Sequence, residues 1–170
     1  MSEAVVVRAA RPDDAEAIAR IHNEGIAERV ATFQTAIQQG PEIAEAIEGG
    51  RLVLVAVRAG EVVGWASVAP YDDAHDYYSR VGEATLYVRH DARRGGTGRA
   101  LLVELAEEAE RRGYYKLIGK IFTTNGPSIA LVRANGWREV GLHERHGRLD
   151  GEWKDVLVVE LLLGEASDEG

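Results

Sequence analysis

Apolar positions along the chain change their spacing from segment to segment, and each spacing predicts an element. AVVVRAA (Ala4–Ala10) is apolar almost throughout and reads as a first strand. In RPDDAEAIARIHNEGIAER, Ala15, Ile18, Ala19, Ile21, His22 and Ile26 recur at three and four residues, and Pro12 with two aspartates suits a helix N-terminus. GPEIAEAIEGG is a shorter helix closed by glycines. LVLVAV and VVGWASVAP flank RAGE as a hairpin with a glycine turn. YDDAHDYYSRVG has no period and reads as an acidic loop, and EATLYVRH is the next strand. Leu101, Leu102, Leu105, Ala106 and Ala109 then line one face of a helix, with Glu104, Glu107, Glu108 and Arg111 opposite and Gly113 at its end. YKLIGKIF is a strand and NGPSIALVRANG a short helix with Pro127 near its start. WREVGLHERHG and GEWKDVLVVELLL are closing strands around an Asp150-Gly151 turn. Residues 164–170 are expected to be a frayed tail.

Hairpins at the front and strand–helix–strand units behind predict an α/β fold with a sheet part antiparallel and part parallel. At 170 residues, with no repeat or linker, one domain over 1–163 is expected. The chain has no cysteine, which removes disulfides, thiolate nucleophiles and cysteine metal sites and suits a reducing cytoplasmic setting. The start, MSEAVVVRAA, carries no basic stretch before a long apolar one, so no secretory leader is expected, and no apolar run is long enough for a membrane span. A net charge of −8 argues against nucleic acid as a partner. Against that acidic background, ARRGGTGR is a local cationic cluster.

This cluster joins a strand to a helix, where backbone N–H groups lack partners and the helix dipole is positive, a site suited to phosphate oxygens. Gly95, Gly96 and Gly98 let the backbone approach closely, and Arg93, Arg94 and Arg99 add charge and forked donors. The chain lacks the GxxxxGK[ST] of nucleoside-triphosphate loops, and GGTGRA has the wrong spacing for the dinucleotide fingerprint. It does meet R-x-x-G-x-G, through Arg93, Gly96 and Gly98.

That pattern, placed between a strand and an amphipathic helix, resembles the acetyl-CoA pyrophosphate loop of the GNAT N-acetyltransferases. TTNGPSIALVRANGW is similar to the family segment whose Asn and Ser contact the CoA arm, which implies that role for Asn125 and Ser128. EATLYV resembles the strand that pairs with the pantetheine amides, here Leu86, Tyr87 and Val88, with Arg93, Arg94, Gly95, Gly96, Thr97, Gly98 and Arg99 as the phosphate loop. Within the family, VGEATLYV and ATFQT resemble the branch acetylating phosphinothricin, methionine sulfoximine and arsinothricin. YKLIGKIF and the segment holding Trp153 and Asp155 look most like its arsinothricin-type members.

An amine must lose a proton to attack a thioester, and a carboxylate at the start of EATLYV suits that task. The resemblance implies that Glu83 is this base, that Phe33 lines the acceptor pocket, and that Tyr71 and Arg80 are further acceptor contacts. It also implies a homodimer. Trp153 reads as a core residue. Two positions depart from the branch. The loop before the catalytic strand is acidic (Asp72, Asp73, Asp76), which suits a cationic acceptor, with Lys120, Arg145 and His146 as unplaced cations elsewhere. Val132 stands where many members carry a tyrosine general acid, leaving Tyr77, Tyr78, Tyr87 or water for that role. The histidines match no metal motif, and on a strand His143 and His146 point to opposite faces, so no metal is expected. The expected activity is acetylation of a small amino-acid-like amine. A polyamine or protein N-terminus as acceptor, and a non-catalytic acyl-CoA sensor, are the alternatives.

Overall fold

A computed structural model describes residues 3–168. Its strands are β1 (Val6–Ala9), β2 (Leu52–Arg58), β3 (Glu61–Pro70), β4 (Val81–Val88), β5 (Lys116–Phe122), β6 (Arg138–Leu149) and β7 (Glu152–Leu162). They form one sheet in the order β1-β2-β3-β4-β5-β7-β6. Only β4 and β5 run parallel; every other pair of neighbours is antiparallel. The main helices are α1 (Ala15–Glu28), α2 (Gly40–Glu48), α3 (Thr97–Arg111) and α4 (Gly126–Ala134).

β2 shows why the sheet is covered on both faces. Leu52, Leu54 and Ala56 point into a core shared with Leu101, Leu102 and Leu105 of α3. Val53 and Val55, at the alternate positions, pack with Ile18 and Ile21 of α1 and with Trp65 and Tyr87. A strand buried on both sides has to read as a continuous apolar run, which LVLVAV is. Ala59 and Gly60 both take positive φ (51° and 78°), as do Asp150 and Gly151 (51° and 83°). Two left-handed residues in succession are what a two-residue hairpin turn requires, and they fix the β2–β3 and β6–β7 registers.

Three expectations change. Residues Glu165–Asp168 form a helical turn, α5, where a frayed tail is expected; residues 169–170 lie outside the described residues. Leu163, buried and donating its N–H to the Tyr115 carbonyl at 2.9 Å, anchors that turn, and Ser167 Oγ donates to the Gly164 carbonyl at 2.6 Å. Trp153 is 50% exposed and lies under Arg148, whose guanidinium carbon stands 4.2 Å from the ring centroid. β5 pairs with β7 only from Val156 onward, so the β6–β7 hairpin projects past the sheet and carries Trp153 out of the core. Finally, His143 and His146 do not diverge: their rings stack at 4.2 Å. Arg145 takes φ 48° inside a register shift between His143 and Gly147, and this bulge cancels the strand alternation.

Candidate active site

β4 and β5 stay paired for only three positions, Val81–Glu83 against Lys116–Ile118. Beyond Glu83 they part, and the backbone of Ala84–Val88 has no strand on that side. The parting opens a cavity of about 460 Å³ whose walls come from both strands, from α3 and α4, and from the segment after α1. Leu86 and Tyr87 of β4 line it, as do Asn125 and Ser128 at the start of α4, and Phe33. So does Val132, buried where a phenol was sought.

The glycine turn is next to this wall through Gly98 and Leu131, though none of Arg93–Arg99 lines the cavity itself. The α3 N-cap, Gly96, has φ 82° and Arg94 φ 64°, so the chain reverses through two left-handed residues before the helix begins. A Cβ on Gly95 would meet the Arg58 guanidinium at 2.9 Å, and one on Gly98 would meet Leu131 at 3.1 Å, a residue of the cavity wall. The loop is therefore a close-fitting backbone cradle, with α3 amides at its base.

The arginines divide by role. Arg93 forks onto Glu28 of α1 with two 2.9 Å hydrogen bonds and donates through Nε to the Val88 carbonyl at 3.1 Å. His90 N donates to Glu24 at 2.8 Å, so α1 holds the loop from below. Arg94 and Arg99 make no side-chain hydrogen bond or ion pair among the described residues. Thr97 is buried, its hydroxyl donating to the Ala92 carbonyl at 3.4 Å and accepting from Arg58 at 3.2 Å. Arg58, whose Nε is buried without a partner, lies beneath the turn and adds positive charge there. Sequence reasoning missed it, because the last residue of a hairpin strand carries no such signal.

Where the strands part, Glu83 faces Lys120 of β5, Oε2 to Nζ 3.3 Å. Lys120 lies two residues beyond Ile118, the parallel partner of Glu83, so alternation alone puts both side chains on one face. Phe33 meets Phe122 edge-on at 4.7 Å and presses on Gly147, where a Cβ would come within 2.8 Å of its ring. His146 joins this wall. Arg145 does not line the cavity; its N–H is bound to Asp155 at 2.7 Å. Tyr71 and Arg80, read as acceptor contacts, also lie outside the lining, as do Tyr77 and Tyr78 and the aspartates of the acidic loop.

On the α1 side, His22 is buried between Trp65 and Tyr87, with ring centroids at 5.6 and 5.0 Å. Burial pushes its imidazole below the ordinary value, partly offset by the 2.7 Å hydrogen bond to Gln34. Burial also pushes the Tyr87 phenol up, against a smaller opposite effect from Thr32, so Tyr87 keeps its proton. Among the described residues no group of three or more His, Asp or Glu is placed to hold a metal ion, and no helix is long and apolar enough to cross a membrane.

A glycine cradle at a helix N-terminus, joined to a cavity between parting parallel strands, is the architecture of acetyl-CoA-dependent acyl transfer. The chain belongs to the acetyltransferase (GNAT) family, whose model matches residues 18–137. It is an N-acetyltransferase of this type. It is 30% identical to an L-methionine sulfoximine/L-methionine sulfone acetyltransferase of Pseudomonas paraeruginosa, over 92% of this chain and 94% of that protein. A phosphinothricin acetyltransferase from Sinorhizobium meliloti, solved in complex with acetyl-CoA, superimposes with a TM-score of 0.89 at 29% identity, covering 98% of this chain and 92% of that one. A ribosomal-protein-alanine N-acetyltransferase from Brucella melitensis gives 0.87 at 34% identity, covering 93% and 99%.

Proposed function

We propose that this protein transfers the acetyl group of acetyl-CoA to the amine of a small amino-acid-like acceptor of the phosphinothricin, methionine sulfoximine or arsinothricin type, with Glu83 as general base. One observation carries the reading: the only carboxylate in the cavity wall, among the described residues, stands where β4 and β5 part. The aspartates of the acidic loop do not line that wall.

Backbone amides of Gly95–Thr97 and the guanidinium groups of Arg94 and Arg99 hold the pyrophosphate in this account, with Arg93 bracing the loop through Glu28 and Arg58 supporting it from below. The open edge of Ala84–Val88 takes the pantetheine amides, as an added strand would. Asn125 accepts the Ser128 N–H at 3.3 Å, capping α4 and fixing both side chains in the wall beside the CoA arm. Acetyl-CoA supplies an activated thioester, whose C–S bond breaks as the new N–C bond forms.

Glu83 accepts the amine proton, directly or through one water, and the thiolate leaving with the C–S electron pair is protonated by water. No covalent enzyme intermediate is needed, which fits a chain without cysteine. The same reading takes the enzyme to be a homodimer, as the family resemblance implies, and cytosolic, as a chain without cysteine suits. Exchange Glu83→Gln tests the assignment. Turnover is expected to fall by about 10²–10⁴-fold while acetyl-CoA affinity, followed by calorimetric titration, stays as it was. Unchanged turnover would remove Glu83 from the mechanism, and a chain that binds acetyl-CoA yet transfers nothing in either form would be a sensor.

A further inference from the structure

Of the side chains lining the cavity, Glu83 and Lys120 carry the fixed charges, one of each sign, 3.3 Å apart. The other titratable groups facing that space are His22, Tyr87 and His146. Lys120 is thus the one permanent cation at the acceptor end, among the described residues. An α-amino acid carries its own pair of opposite charges, with about 2.5 Å between the amino nitrogen and the carboxyl carbon, from standard bond lengths and angles. The two dipoles match in size and are opposite in sense. The ion pair is weak and readily exchanged, since both partners are partly solvent-exposed (45% for Lys120, 34% for Glu83).

We propose that Lys120 is the specificity-determining residue of the acceptor site: it leaves Glu83 to hold the α-carboxylate of the acceptor, and so puts the α-amine against Glu83. This rests on the amino-acid reading of the function. It adds a selection rule, because an amine with no neighbouring acid offers Lys120 no partner in place of the base. The carboxylate of a correct acceptor opens the Glu83–Lys120 pair, and the freed Glu83 oxygen then faces the amine whose proton it must take. Phe33 and Phe122, in edge contact beside this pair, leave an apolar surface for the side-chain stem.

The test compares L-methionine sulfone with its α-carboxamide, a near-isostere without the negative charge whose amine is also less basic, in the parent protein and in Lys120→Gln and Lys120→Arg variants. The parent enzyme is expected to favour the acid over the carboxamide by about tenfold or more in kcat/KM. Lys120→Gln should erase that preference through the acceptor KM, with acetyl-CoA affinity unchanged as evidence of a folded loop, and Lys120→Arg should keep most of it. Retention of the acid preference in Lys120→Gln would overturn the proposal and leave the amino-acid reading standing. A parent enzyme indifferent to the carboxylate overturns it without any variant. Turnover on amines alone, with none on the amino acid, would bring down both.

Discussion

The two sides of the site are made in different ways. In the proposed function the coenzyme side is a short run of consecutive residues, Arg93–Arg99, whose working parts are mostly backbone groups. The acceptor side takes Phe33 from the segment after α1, Glu83 from β4, Lys120 from β5 and His146 from β6. The first is written in contiguous sequence, though Glu24 and Glu28 of α1 and Arg58 of β2 hold it in place. The second exists only after the sheet forms, because β4 and β5 must pair and then part at Glu83. Coenzyme binding can thus be common to many relatives while acceptor choice moves with a few side chains on separate strands.

The contrast has measurable consequences. Gly96→Val should act at the loop alone. A β-branched residue at φ 82° is strained by ~1–3 kcal/mol, and relief by shifting the turn would weaken acetyl-CoA binding by about ten- to a hundredfold, read by titration. An unchanged affinity would mean that the cradle does not hold the pyrophosphate. Gly25→Ala should act at the cavity wall. Its new Cβ falls 2.5 Å from the Tyr87 ring, and the overpacking is expected to cost ~1–3 kcal/mol, less the ~1 kcal/mol that Ala gains over Gly in a helix. Denaturant unfolding reads the net loss, and an increase in stability would show that Tyr87 moves freely.

His22 gives the smallest effect. Its imidazole is pushed down in the folded protein, so the unfolded chain binds its proton more readily. The stability this group contributes is whole above the free imidazole value of ~6.5 and is lost as pH falls through the folded value. Thermal unfolding of the parent should therefore lose ground between about pH 7.5 and pH 5.5, and His22→Phe should flatten part of that slope. Equal slopes would mean that His22 titrates normally.

The same division explains what the sequence made legible. Element order, the two hairpin turns and the glycine cradle follow from local spacing and were readable directly. Glu83 reads as a base from its place at the start of a strand and from the family resemblance, and the structure puts it in the cavity wall. Lys120 was visible as a cation but had no position until the β4–β5 register joined it to Glu83. Tyr71 and Arg80 read as acceptor contacts because they precede β4 in sequence; neither is among the residues lining the cavity. The parity rule failed for His143 and His146 because one left-handed residue, Arg145, resets a strand's alternation, and nothing in the chemistry of arginine announces it. Trp153 was read as core because large aromatics usually are; its exposure comes from a hairpin longer than its neighbouring strand, which is a tertiary fact. Arg93 matches the loop motif, but Glu28, 65 residues away in the chain, holds its guanidinium.

A cavity wall with one carboxylate and one ammonium is expected to select an amino acid as acceptor. The most direct measurement is thiol release from acetyl-CoA against a panel of phosphinothricin, methionine sulfoximine, arsinothricin, spermidine and peptides with free N-termini. Turnover is expected on the three amino acids. Turnover confined to spermidine or to the peptides would contradict that expectation.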